Sequence, residues 1–334
     1  MSRLAEKIVS PFFGKKKYYR IWNKLYKASM MGMNVGNGGD FESSGEKYAM
    51  GYVKNLLKNI DKPVLFDVGA NRGDYAKELV KNYRNAEIHC FEPAAETFKI
   101  LCSQVKSDKV IMNNFGMSDT CTESILYYDA ECDGLASMYK RQCVEHAEPI
   151  RIKLDTVDHY CEERNIPRIN LLKIDIEGND IIALQTMEKV SEKPLYISVE
   201  TECIGEDEDI AGHELDTLNA LYQLGYRKFK LVDQRTLTVL DYNCFYKNNS
   251  EHNWFEQIET NCKYAEELIV LSDTDQRVKF TDFFPRSSGP FGEELAGKWY
   301  DYPQAKEMLK KHREDKMRLN EPAWTFWCDW HATF

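Results

Sequence analysis

Between positions 63 and about 240, short apolar runs alternate with amphipathic stretches. Val64–Val68 (VLFDV), Glu87–Phe91 (EIHCF), 109–113, 170–176 (NLLKIDI), 195–200 (LYISVE) and 228–232 are five to seven residues long and bounded by polar or turn residues. They are too short for helices and read as buried strands. The 3.6-residue period places helices between them, over 72–83, 94–106, 156–164, 180–190 and 215–224. Segments 124–128 and 236–240 read as added strands. Strands alternating with helices of this length predict an α/β fold, with a Rossmann-like, doubly wound, mostly parallel sheet covered on both faces.

The flanks have a different texture. Ser43-Ser44-Gly45-Glu46 reads as a helix start leading to about 59, with Tyr48, Met50, Val53, Leu56 and Leu57 apolar. Beyond 240 the rhythm is lost until Asp301-Tyr302-Pro303 opens a charged helix to about 320, followed by a Trp-rich end. The expected organisation is an N-terminal helical region over 1–60, a ligand-binding domain over 61–240 and a C-terminal extension over 241–334.

Composition narrows the classes. With 43% hydrophobic and 29% charged residues in 334, the chain is an ordinary globular one, and no apolar run approaches a membrane span. Lys and Arg number 44 against 54 Asp and Glu, net −10, which argues against nucleic acid as partner. The positive charge is concentrated at the start. Arg3, Lys7, Lys15, Lys16, Lys17, Arg20, Lys24 and Lys27 stand against Glu6 alone, interleaved with Phe12, Phe13, Tyr18, Tyr19, Trp22 and Tyr26. Residues 1–28 therefore read either as a basic helix packed on the acidic body or as a membrane-surface contact. Residues 1–10 lack the apolar core of a secretory signal, and the ten cysteines form no C-x-x-C pair. Reduced thiols and a cytoplasmic location are expected.

The chemistry begins at Asp67-Val68-Gly69-Ala70-Asn71-Arg72-Gly73, which closes the first strand and opens the first helix. The glycines allow a tight turn and close ligand approach, and the helix start beyond presents unpaired N–H groups. Glu92 ends the second strand, placed to accept hydrogen bonds from ribose hydroxyls. A dinucleotide site needs G-x-G-x-x-G, which this turn lacks. Asp67 with G-A-N-R-G fits S-adenosylmethionine (SAM) better, the acid and the glycine backbone holding its amino-acid end.

The pieces FDVGANRGDY (66–75), FEP (91–93), NNFGMSD (113–119), LDTVDHY (154–160) and LLKIDIEGND (171–180) together resemble the FkbM-type methyltransferases, a branch of the class I methyltransferase fold. The resemblance covers 64–225, about half the chain. It implies that Asp67, Gly69, Asn71 and Gly73 line the methionine end of SAM, that Glu92 holds the ribose, and that Ser118 and Asp119 lie against the adenine. It also implies O-methylation of sugars, polyketides or other secondary metabolites.

Alternation along 172–177 places Lys173, Asp175 and Glu177 on one face of a central strand, at its carboxyl end. Ionisable groups there point to a ligand crevice. Asp175 and Glu177 are candidates to bind substrate hydroxyls, to act as base or to hold Mg²⁺, and an internal Lys173–Asp175 ion pair is the plainer alternative. Glu200 shares the same address on the next strand. His213, with an imidazole suited to taking a hydroxyl proton, completes the candidate catalytic set. Trp299, Trp324, Trp327 and Trp330 read either as an acceptor cap over this crevice or as packing anchors. The function expected is SAM-dependent O-methylation of a carbohydrate or related polyhydroxy acceptor. A non-sugar acceptor, or a SAM-binding docking module without turnover, is the alternative. Asn-Pro-Pro-Tyr, Asp-Pro-Pro-Tyr and Pro-Cys, which serve amino-nitrogen and cytosine-carbon methylation, are absent.

Overall fold

All six buried runs enter one sheet in the computed structural model of the protein, which describes residues 9–12, 15–32, 46–141, 144–202, 213–233, 238–239, 269–271, 277–279, 299–318 and 327–334. In chain order the helices are α1 (Tyr19–Gly32), α2 (Glu46–Leu56), α3 (Asp74–Asn82), α4 (Ala95–Gln104), α5 (Val157–Glu163), α6 (Asp180–Gln185), α7 (His213–Gln223) and α8 (Tyr302–Arg318). The strands are β1 (Val64–Val68), β2 (Glu87–Phe91), β3 (Val110–Asn113), β4 (Gly116–Met117), β5 (Thr122–Tyr128), β6 (Glu148–Asp155), β7 (Leu171–Ile174), β8 (Tyr196–Glu202), β9 (Lys228–Asp233), β10 (Thr238–Val239), β11 (Ile269–Leu271), β12 (Arg277–Lys279) and β13 (Trp327–Thr333).

The main sheet runs β3-β2-β1-β7-β8-β13-β9-β10. Strands β3, β2, β1, β7 and β8 pair in parallel, whereas β13 is antiparallel to both its neighbours. Strand order reverses between β1 and β7, so their carboxyl ends flank the crevice where a doubly wound sheet takes its ligand. Side chains alternate between two cores. Phe66, Val68, Leu172, Ile174, Ile197 and Val199 fill one, and Leu65, Ile88, Cys90, Leu171 and Tyr196 the other. Burying each such aliphatic side chain is worth about 1.5–3 kcal/mol, and coverage on both faces explains why these strands read as continuous apolar runs.

Both expected domain boundaries shift. Met50, Val53 and Leu57 of the α2 region pack in the core with Leu79 and Tyr83, and the Tyr83 hydroxyl donates to the Met50 carbonyl at 2.7 Å. That helix thus belongs to the sheet domain, not to a separate region ending at 60. More consequentially, β13 lies inside the sheet between β8 and β9, so the C-terminal segment is not simply an extension from 241. Trp330 is completely buried there, its Nε1 donating to the Glu214 carbonyl at 2.9 Å. Trp299 packs against Tyr52 and Tyr196, with the Lys230 ammonium over its ring. These two tryptophans are anchors rather than an acceptor cap. Trp324 and the side chain of Trp327 lie outside the described residues, as do Ser43, Ser44 and Gly45.

A second, three-stranded sheet, β4-β6-β5, joins β4 and β6 to the strand that the pattern predicts at 124–128. Its Ile152 and Leu154 pack with Leu126 and Tyr128 of β5. This sheet places Ser118, Asp119 and the start of α5.

Helix α1 stands apart energetically. Ile21, Leu25 and Tyr26 are 57%, 52% and 60% exposed, so the packed-helix reading does not describe them. No helix among the described residues is long and apolar enough to cross a membrane. Cys90, Cys102, Cys121, Cys132 and Cys161 enter no disulfide among the described residues.

Candidate functional site

The turn after β1 is built by two close approaches. Gly69, at φ +87°, lies so near β7's end that a Cβ there would sit 1.8 Å from the Asp175 carbonyl oxygen. Gly73, at φ +89°, would drive a Cβ to 2.6 Å from Leu101 and Val105 of the α4 region. Only glycine serves both the left-handed backbone and the space. The N–H groups of Gly69 and Ala70 donate to the Phe91 carbonyl, tying the turn to the end of β2. Asn71 is also left-handed, and its N–H donates to Glu92 Oε2 at 3.1 Å, while the Ala94 N–H reaches Oε1 at 2.8 Å. Each Glu92 oxygen thereby holds one backbone donor and keeps lone-pair capacity for another. Burial pushes the Glu92 carboxyl up to about 7, against the pull of those two N–H groups.

Asp67, Gly69, Asn71, Gly73 and Glu92 are therefore parts of one turn-and-strand-end constellation, with Asp67 fully buried on β1. Ser118 and Asp119 sit just past β4. The Ser118 N–H donates to the Asp155 carbonyl, and its hydroxyl to Asp119 at 3.3 Å, so their hydrogen bonds run to β6 and to each other rather than to this turn.

The second half of the site gathers acids. Strand β7 ends at Ile174, earlier than the alternation implies, and a tight turn follows. Glu177 adopts φ +57° and Gly178 φ +101°. A left-handed non-glycine residue costs about 1–3 kcal/mol unless its surroundings hold it. Here Asp180 clamps the turn, accepting from the Ile176 and Gly178 N–H groups at 2.9 Å each, and the Ser137 hydroxyl donates to the Glu177 carbonyl at 2.7 Å. The result brings carboxylate oxygens of Asp175, Glu177 and Glu200 within 4.8 Å of one another.

Three like charges at that range are not tolerated, and the protein divides them. Burial works to raise Asp175, but Lys173, whose ammonium lies 2.7 Å away, together with a hydrogen bond from Glu200 and the Arg141 charge, holds it below the ordinary carboxylate range. Burial pushes Glu200 well above that range, and the charges of Asp175, Glu177, Asp180 and Asp329 push the same way. Within this pair, burial and neighbouring charge favour the protonated form of Glu200 and the ionised form of Asp175, with Glu200 as donor. Glu177 pairs with the buried Arg141 at 2.7 Å. The Lys173–Asp175 pair expected as the plain alternative exists, yet it stands at the mouth of the crevice, with the Asp175 side chain 38% exposed.

Asp175, Glu177 and Glu200 lie close enough together to share a cation, but Lys173 and Arg141 already pair with Asp175 and Glu177, so protein cations stand where a Mg²⁺ would. The turn does fit SAM in its donor and acceptor set, since buried Asp67 and Glu92, near the ends of β1 and β2, flank the left-handed backbone of 69–73.

Residues 67–228 match the family model described as the methyltransferase FkbM domain. That stretch of the chain belongs to the FkbM methyltransferase family. Its central strands β1, β2, β3, β7 and β8, and both halves of the site, lie in or at the edge of the match. No curated protein matches the chain. Among solved structures, a SAM-dependent methyltransferase from Archaeoglobus fulgidus is 10% identical with a TM-score of 0.33, covering 86% of this chain and 94% of that one. A putative methyltransferase from an antibiotic biosynthesis pathway of Anabaena variabilis is likewise 10% identical at 0.33, covering 86% and 96%. The precorrin-6y C5,15-methyltransferase of Geobacter metallireducens is 11% identical at 0.32, covering 55% and 73%.

Within the FkbM domain, three site residues escape sequence reasoning. Arg141 and Ser137 come from the irregular segment between β5 and β6, where no periodicity marks them. Asp180 is visible in sequence only as a polar residue at a helix start; its clamp on the turn is a tertiary fact. Arg72 adds a further tie, its Nε 2.8 Å from Asp133 in the same segment. His213 opens α7, but its side chain lies outside the described residues.

Proposed function

We propose that the protein is a SAM-dependent O-methyltransferase whose acceptor is a carbohydrate or a related polyhydroxy molecule. The observation that carries this reading is the contact between the two halves of the site: the Gly69 turn lies directly on the Asp175 backbone. Acceptor chemistry at Asp175 is thereby next to the turn that fits the donor. SAM, when bound, supplies an electrophilic methyl group on a sulfonium. Asp67 and the 69–73 backbone hold its amino-acid end and Glu92 its ribose.

The chain's own residues then act on the acceptor. Ionised Asp175 receives the hydroxyl proton as the oxygen attacks, a role worth about 10²–10⁴ in rate. Lys173 and protonated Glu200 fix the orientation of its carboxylate. The crevice offers acceptors on Asp175 and Glu177 beside donors on Lys173, Arg141 and Glu200, matching vicinal hydroxyls, which both give and take hydrogen bonds. The test is incubation with labelled SAM and a panel of saccharides, polyols, phenols and amines. Label on a saccharide or polyol hydroxyl is the expected result. Label confined to amines overturns O-methylation, label confined to phenols overturns the polyhydroxy acceptor, and tight SAM binding without transfer across the panel favours a docking module.

The N-terminal segment supports a location for this activity. Helix α1 exposes Tyr19, Ile21, Leu25 and Tyr26 beside Arg20 and Lys24, with Lys15, Lys16 and Lys17 just before it. On a chain of net charge −10, this exposed basic and aromatic segment is the part that complements an anionic lipid surface. Each basic residue near such a surface contributes about 1 kcal/mol. The protein is expected to cosediment with phosphatidylserine-containing vesicles and not with phosphatidylcholine alone. Reversing Lys16, Lys17, Arg20 and Lys24 to Glu should abolish it. Equal binding of the reversed variant rules the contact out.

A further inference from the structure

Three elements converge beside Ser118 and Asp119, at the end of the small sheet where β6 pairs with β4. Cys121 precedes β5, Asp155 ends β6, and His159 lies in the first turn of α5. The Cys121 thiol donates to Asp155 Oδ1 at 3.0 Å, and His159 Nδ1 lies 2.7 Å from the same oxygen. One sulfur, one imidazole nitrogen and one carboxylate oxygen all fall within 4.8 Å of one another. The methyl-transfer reading uses none of them.

We propose that Cys121, Asp155 and His159 form a binding site for a transition-metal dication of the zinc type. Zinc takes thiolate at about 2.3 Å and imidazole or carboxylate at about 2.0–2.2 Å, so small side-chain rotations bring the three atoms round one ion. A thiolate and an imidazole together exclude Mg²⁺ and Ca²⁺, which need oxygen ligands. Three protein ligands leave a fourth position for water.

With Nδ1 on the ion, Nε2 would carry the ring proton, and the exposed Glu163 carboxylate lies one helical turn on at 3.8 Å, outside hydrogen-bond distance. The Thr156 N–H donates to Asp155 Oδ1 at 2.7 Å, and the Thr156 hydroxyl accepts from the His159 N–H at 3.2 Å, which sets the geometry of ligand and helix together. Cys121 and His159 are exposed enough for an ion to enter. Metal binding would bind β5, β6 and α5 into one unit, and the Asp155 carbonyl already holds the Ser118 N–H at 2.8 Å.

The experiment uses the full chain, stripped with chelator and titrated with Co²⁺ as the spectroscopic probe. A saturable thiolate-to-cobalt absorption at one equivalent, displaced by Zn²⁺, is the expected result. Cys121→Ser should lose the band, and His159→Gln should weaken binding by at least about tenfold. As a second measurement on the unaltered protein, Zn²⁺ should protect Cys121 from alkylation while exposed Cys102 and Cys132 react as before. A band that survives in Cys121→Ser, or alkylation of Cys121 unchanged by Zn²⁺, overturns the proposal. Should Cys121→Ser fail to fold, the alkylation result on the unaltered chain decides alone.

Discussion

Asp175→Asn is expected to lower kcat by about 10²–10⁴ while SAM affinity stays nearly unchanged. The amide is nearly isosteric and leaves the backbone intact, so the Asp175 N–H still donates to the Val68 carbonyl and its own carbonyl still packs on Gly69. What is lost is a carboxylate favoured in its ionised form and, at 38% side-chain exposure, more open to an incoming hydroxyl than Glu177 at 16%. Glu200→Gln is the matched control. It keeps a neutral donor toward Asp175, so its effect should be small, whereas a large effect would assign the proton transfer to Glu200. Single-turnover rates with SAM binding by calorimetry separate the two. Near-full activity of Asp175→Asn would move the base elsewhere, with His213 next to be replaced.

Glu92→Ala should weaken SAM binding at least tenfold, since two charge-assisted hydrogen bonds of about 1.5–3 kcal/mol each are at stake. The environment of Glu92 adds a pH signature. Ribose hydroxyls donate to a carboxylate, and this carboxyl is pushed up to about 7 by burial, so its ionised fraction falls below that pH. Affinity should therefore be constant at alkaline pH and decline below about 7, by roughly tenfold per pH unit once protonation dominates. Glu92→Gln should bind more weakly at pH 8 and show no such slope. A flat profile for the unaltered protein would remove Glu92 from the ribose.

Much of this architecture is legible in the sequence because the strands of a doubly covered sheet are apolar on both faces. VLFDV and EIHCF could hardly be anything else between two helices. The donor half of the site was legible for a related reason: glycines and acids at strand ends obey local rules of backbone space and charge. The acceptor half was legible only in part. Asp175, Glu177 and Glu200 do meet, but alternation was the wrong reason for Glu177, which lies past the strand end in a left-handed turn that Asp180 and Ser137 hold. Arg141 carries no local signal at all. Strand β6 shows alternation at Ile150, Ile152 and Leu154, which could have been read, whereas the place of β13 could not. Its pairing with β8 and β9 joins residues more than ninety positions apart, and no local pattern encodes a partner at that distance.

That insertion has a consequence for how the chain reaches its native state on the ribosome. Strands β8 and β9 are made well before β13, the strand that separates them. At elongation rates of about 5–20 residues per second, the stretch from Asp233 to Trp327 takes on the order of 5–20 s to appear. Throughout that interval two half-finished sheet edges, carrying Val199 and Leu231, wait without their partner, close enough in sequence to pair wrongly with each other or with a neighbouring nascent chain. The vulnerable period in the life of this protein is thus set by translation speed over the segment before Trp327, and slower decoding there lengthens it.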